Sequence, residues 1–274
     1  MEQRDVELLT AFDRRLQVIR DRVRSVAEGY HTAVYLTGRP GTSKTYTVQQ
    51  ELERTATPSI VRNARMTAMG LFELLCGHTE HVIVLDDIGS LFKDTIALQV
   101  LMAALDGDPK KPRTITYRSK DKDFAFEFSG GIIAISNLPL ENDPLANAVA
   151  SRAILFEHDP TDEELSAFMR KLAQDGYKGL IADQCHEVVS YVIDETRRCT
   201  RRLDLRHLTK AYEDRRQWEH GLSQTPWKEL VSTSLRKMVI ATPSKAWPDP
   251  EFSTRGYEST GWVRPLCCWS GGAG

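Results

Sequence analysis

Between Tyr35 and Thr45 the chain reads Tyr-Leu-Thr-Gly-Arg-Pro-Gly-Thr-Ser-Lys-Thr, residue types suited to holding a polyphosphate. Glycine lets the backbone turn tightly, so the N–H groups of Gly41 to Thr45 and the positive end of the following helix can face one anion. Lys44 can reach outer phosphates, and the Thr45 hydroxyl can ligate magnesium. Gly38, Pro40, Gly41, Thr42, Ser43, Lys44 and Thr45 are therefore the candidate phosphate-binding residues. The pattern G-x-x-x-x-G-K-[ST] asks for glycine where Ser43 stands. At positive φ a serine costs roughly 1 kcal/mol, which weakens binding without abolishing it.

A second group of residues could act on what this loop holds. Asp86 and Asp87 close the apolar run His81 to Leu85, the kind of strand that is buried on both faces of a parallel sheet. Beside a phosphate loop, two such carboxylates complete an ATP site. Asp86 would hold Mg2+ through water, and Asp87 would orient and polarise the attacking water. The plainer use of the pair is an Asx turn capping the next helix. Asn137, just past the apolar run Gly131 to Ile135, offers an amide to the same water or to the γ-phosphate.

These residues act together only if strand ends bring them together. Val6, Leu9, Phe12, Leu16, Ile19, Val23 and Val26 recur at helical steps, so residues 5–27 form an amphipathic helix that packs on its own sheet or on a neighbouring subunit. Strands are expected at 33–36, 59–63, 81–87, 131–135 and 153–156, with helices around 44–52, 69–75, 92–105 and 144–150 between them. Arg113 to Tyr117 and Phe124 to Phe128 alternate around the polar link Arg118 to Asp123, which reads as a β-hairpin. From Asp159 the pattern is helical only, over 161–174, 183–198, 203–219 and 226–238, and Thr161 with Glu164 makes an N-cap. The fold class is α/β, a parallel five-stranded P-loop sheet flanked by helices and followed by an all-helical domain. The expected divisions are an N-terminal helix (1–29), the α/β domain (30–158), the helical domain (159–240) and a tail of unknown order (241–274).

With 274 residues, 41% apolar and 27% charged, at a net charge of −2, the chain can bury a sizeable core and is not a globally basic nucleic-acid coat. No apolar run reaches membrane-spanning length, and Met1-Glu2-Gln3-Arg4-Asp5 lacks a secretion layout, so a cytoplasmic protein with no membrane partner is expected. The five cysteines show no C-x-x-C spacing, so a zinc site is not expected.

The order of these parts resembles the AAA+ ATPases over about residues 30–220. The resemblance implies ATP and Mg2+ as cofactors, a helical lid, and a homo-oligomeric ring or filament, hexamer-like, that works as an ATP-hydrolysing motor or switch. It makes Arg152 an arginine finger reaching the γ-phosphate of the adjacent subunit, and it makes Arg206 a second sensor in the lid, with Arg202 as competitor. The hairpin falls where one AAA+ branch, containing helicases, Holliday-junction motors and several protein remodelers, inserts a hairpin lining the pore. Its Lys111, Arg113, Arg118, Lys120 and Lys122 suit a phosphate backbone, which favours a DNA-directed role in replication, recombination or transposition support. Met69 would be the other pore element, although Thr67 to Gly70 also reads as an N-cap and first turn. The alternatives are a protein-remodeling ATPase and a nucleotide-dependent assembly protein that hydrolyses weakly. The last is motivated by Ser43 and by Asp87, where the family usually has glutamate.

Overall fold

The computed structural model describes residues 3–63, 66–87, 91, 94–118, 123–138 and 144–236. The first half contains α1 (Gln3–Ala27), β1 (Ala33–Thr37), α2 (Lys44–Arg54), β2 (Ser59–Arg62), α3 (Ala68–Gly77), β3 (Val82–Asp86) and α4 (Thr95–Leu105). Then come β4 (Arg113–Arg118), β5 (Asp123–Phe128), β6 (Gly131–Ile135), α5 (Pro144–Ala150) and β7 (Ile154–Glu157). Four helices follow: α6 (Asp162–Gln174), α7 (Ala182–Arg198), α8 (Leu205–Glu219) and α9 (Trp227–Leu235).

Five strands form one parallel sheet in the order β2-β3-β6-β1-β7, flanked by helices, and β4 and β5 form a separate antiparallel ribbon. The apolar runs of the three central strands, β3, β6 and β1, are continuous because each is covered on both faces, while the edge strands β2 and β7 are only partly buried. Val34, Leu36, Val82, Val84, Ile133 and Ile135 share a core with α1, α2 and the helices from α6 onward. The alternate residues Ala33, Ile83, Leu85 and Ile132 share another with α3, α4, Ile115 and Phe128. The register pairs Leu36 with Ile135 and Asp86 with Ile135, so β1, β6 and β3 end level. Ligands of open parallel sheets collect at such carboxyl ends.

α1 packs on its own sheet, burying Phe12, Leu16, Ile19 and Val23. It also meets α6 through Asp5 with Arg170 (2.6 Å) and Arg15 with Glu164 (3.1 Å). α6 starts with a full capping box between Thr161 and Glu164. α4 is capped by Asp94, which accepts from Ile96 N and Ala97 N; its expected start at Phe92 lies outside the described residues, as do the tail 241–274 and most of the hairpin link. Among the described residues no helix is long and apolar enough to cross a membrane.

Candidate phosphate-binding site

Where β1 ends, the chain turns in ways that exclude side chains. Gly38 has φ 141°, and a Cβ there would lie 2.0 Å from the His158 carbonyl oxygen. Gly41 has φ 69°, and its Cβ would lie 1.7 Å from Asp204 Oδ1. Ser43, just ahead of α2, is also left-handed at φ 76° and ψ 7°. This conformation costs an L-residue roughly 1–2 kcal/mol, while glycine brings roughly 0.5–1 kcal/mol of extra backbone entropy to be lost. Ser43→Gly is therefore expected to raise folding stability by about 0.5 kcal/mol in denaturant unfolding; a clear loss would contradict the strain.

Lys44 is buried, and its Nζ donates to the carbonyls of Gly38 and Arg39, both at 2.6 Å, with Asn137 Oδ1 at 3.4 Å. Burial, then the nearby Arg206, pushes its pKa down to about 8 against the pull of Asp86. Thr45 Oγ1 donates to Asp86 Oδ2 at 3.0 Å, across 41 residues of sequence. Asp87 turns away from β3 at φ 55°, its N–H bonded to Ile135 O at 2.9 Å. Aspartate tolerates this conformation better than most residues. Asn137 Nδ2 then lies 3.5 Å from Asp87 Oδ1, so the amide stands between lysine and carboxylate.

Residues Pro40 to Thr45, with Asp86, Asp87 and Asn137, line a cleft of about 470 Å³, whereas Gly38 is not in its wall and meets Lys44 Nζ through its carbonyl. Its other walls include Asn63, Phe168, Leu172, Leu205, Arg206 and Thr209. Arg206 reaches the cleft, whereas Arg202 is spent on Asp162, Nε lying 3.1 Å from each carboxylate oxygen. The donor set fits a magnesium triphosphate. The close approaches of His158 to Gly38 and of Asp204 to Gly41 fold the loop tightly, Lys44 lines the cleft, and hydroxyl and carboxylate oxygens of the kind a hard divalent ion takes stand side by side.

Asn63 has no motif of its own in the sequence, yet it follows β2, whose Arg62 pairs with Leu85, and so comes level with Asp86 in the cleft wall. His158 is another. It is fully buried, its Nε2–H donates to Thr42 O at 2.9 Å, and its ring lies 6.0 Å from that of Phe12. Burial pushes its pKa from 6.5 to about 4. Above pH 6.5 the folded and unfolded chains are both neutral there. As pH falls toward 4 the unfolded chain gains the proton first, so folding stability drops, on the order of 3 kcal/mol in total. His158→Gln should flatten the pH dependence of stability in that window by a comparable amount; an unchanged profile would contradict the assignment.

Other expected site residues lie elsewhere. Arg152 sits at the opposite, N-terminal end of the sheet, its Nε 3.1 Å from Asp106 Oδ1 and its Nη1 2.9 Å from Ala148 O. Arg113 is a correction, because it is 5% exposed rather than offered to a partner. Its guanidinium donates to the carbonyls of Phe128 and Gly130 and lies over the Phe128 ring, and burial lowers its pKa. Met69 is likewise no free tip, since it packs half-buried on the core of α3 and α4, with Thr67 Oγ1 capping α3 through Gly70 N at 3.1 Å. Arg118 is exposed and paired with Asp123 at 2.9 Å; Lys111 is exposed near Asp108 at 3.8 Å. Lys120 and Lys122 lie outside the described residues. Tyr117, Phe124 and Phe126 gather around Phe72 of α3 with ring centroids 5.0–6.3 Å apart, which fastens the ribbon to the body.

No protein-family model matches the chain, and no curated protein matches it significantly.

Proposed function

We propose that the chain binds and hydrolyses ATP as an AAA+-type protein, acting as a homo-oligomeric motor or switch with α6–α9 as its lid. The observation that carries this reading is the Thr45–Asp86 hydrogen bond at 3.0 Å beside the buried Lys44. Lys44 and the loop N–H groups would bind the outer phosphates. Thr45 and Asp86 would hold Mg2+, which when bound supplies charge neutralisation across the phosphates. Asp87 accepts the proton of the water that Asn137 orients, as the water oxygen bonds to the γ-phosphorus and the bridging bond to ADP breaks. Arg206 faces the phosphates from the lid side, and Phe168, Leu172 and Leu205 offer an apolar wall to the base.

Arg152 can join this site only from a second copy of the chain. Its pair with Asp106 is 33% and 69% exposed, and such a pair is worth about 0–1 kcal/mol, so releasing the guanidinium costs little. Lys111, exposed just before the ribbon, and Arg118, exposed on it and released from Asp123 at little cost, favour DNA over a protein as the substrate of the assembly. Phosphate release by the wild type, Asp87→Asn and Arg152→Ala, with and without DNA at low salt, tests the reading. Both variants should be slower, by about 10³-fold or more where the finger is lost, and DNA stimulation should fall steeply as salt rises. Equal rates in all three proteins would remove hydrolysis from the account.

A further inference from the structure

Arg39 belongs to the phosphate loop by position, yet its side chain, 14% exposed, runs into the helical half of the molecule. Nε donates to Asp159 Oδ1 at 2.9 Å, Nη1 to Leu203 O at 2.6 Å and Nη2 to Pro160 O at 2.8 Å, with Asp162 Oδ1 2.9 Å from Nη2. Asp159 and Pro160 lead into α6, and Leu203 leads into α8. Those two helices carry Phe168, Leu172, Leu205 and Arg206, the cleft wall that faces the loop. The backbone of the same residue faces the other way: its carbonyl accepts from Lys44 Nζ at 2.6 Å and from Thr42 Oγ1 at 3.0 Å. A second strut runs parallel, from Leu205 N to Gly41 O at 3.0 Å.

We propose that Arg39 is a positioning residue that couples phosphate capture in the loop to the placement of α6 and α8, an inference that rests on the phosphate-binding reading. A phosphate is a stronger acceptor for an ammonium than a carbonyl is, so it draws Lys44 Nζ from the Arg39 carbonyl and lets the Arg39 backbone move. The guanidinium, held at oxygens on two connections, carries that movement to the start of both wall helices. The task needs a planar fork with several donors; a lysine ammonium keeps the charge but cannot span Asp159, Pro160 and Leu203 together. Arg39 does not touch the reacting atoms.

The test is hydrogen exchange of segments 160–172 and 203–209 in the wild type, Arg39→Lys and Arg39→Ala, each with and without a slowly hydrolysed ATP analogue and Mg2+. Nucleotide affinity and Tm are read on the same samples. In the wild type the analogue should slow exchange in both segments by about tenfold, within the ordinary range of coupling between sites. In Arg39→Lys the Kd should stay within about threefold of wild type while the slowing disappears from both segments. A purely structural role would lower Tm and leave the nucleotide-dependent slowing in place, so Arg39→Lys decides the matter even where Arg39→Ala fails to fold. Retained slowing in Arg39→Lys overturns the proposal, as does an affinity loss beyond about tenfold, which would put Arg39 in the binding site itself. A wild type that binds but shows no slowing overturns it alone, whereas a wild type that binds no nucleotide overturns the phosphate-binding reading with it.

Discussion

Lys44→Ala is expected to abolish measurable binding of a nucleoside triphosphate while the chain stays folded. The lysine lines the cleft within the phosphate loop itself, and hydrogen bonds to a charged group contribute roughly 1.5–3 kcal/mol each. Two such bonds to phosphate correspond to more than about a hundredfold in affinity. Folding survives because Nζ bonds to loop carbonyls and Asn137 and, among the described residues, belongs to the core of neither sheet face. The same residue sets the pH dependence. Its pKa of about 8 means the free protein loses the ammonium as pH rises past 8, so affinity should be flat near pH 7 and then fall by up to about tenfold per pH unit. Fluorescence titration of a labelled ATP analogue against both proteins reads both effects, and an affinity unaltered by the substitution would refute the assignment of the loop.

Asp87→Asn should leave nucleotide affinity within a few-fold and lower turnover by about 10²–10⁴, the usual contribution of a positioned general base. The substitution isolates proton acceptance. Asparagine is nearly the same size, and it tolerates the φ of 55° found at this position at least as well as aspartate does. The Asp87 N–H bond to Ile135 O is a backbone contact and is retained. Single-turnover phosphate release measures the effect. A rate within about threefold of wild type would show that the water is activated elsewhere, leaving the chain a nucleotide-binding assembly protein.

Much of the scaffold is legible in sequence because burial on both faces leaves a plain signature. The runs at Ala33 to Leu36, Val82 to Leu85 and Gly131 to Ile135 have no polar interruption, and each becomes a strand of the parallel sheet. The residues that chemistry would use stand where those runs stop, so their convergence follows from parallel strand ends lying level. Arg113 turns inward by strand parity despite its charge. It shares a face with Ile115, which is fully buried, and alternation of period two places the arginine on that same inner side. Asn63, Asp204 and His158 carry no local pattern; Asn63 matters by lining the same cleft as Asp86, and the other two by their contacts with Gly41 and Thr42, which only the folded chain creates. Phe168 and Leu172 read as ordinary core at helical spacing, and nothing in their periodicity separates a cleft wall from an interior.

The central claim is that Lys44, Thr45 and Asp86 surround one magnesium-bound triphosphate, and calorimetric titration of the wild-type chain with a slowly hydrolysed ATP analogue tests it most directly. One saturable site per chain is predicted, weakened when EDTA removes magnesium and when Asp86→Asn removes the carboxylate. Absence of saturable heat with the analogue carried to about 1 mM, a Kd limit corresponding to roughly −4 kcal/mol, or binding indifferent to both magnesium and Asp86, would contradict it.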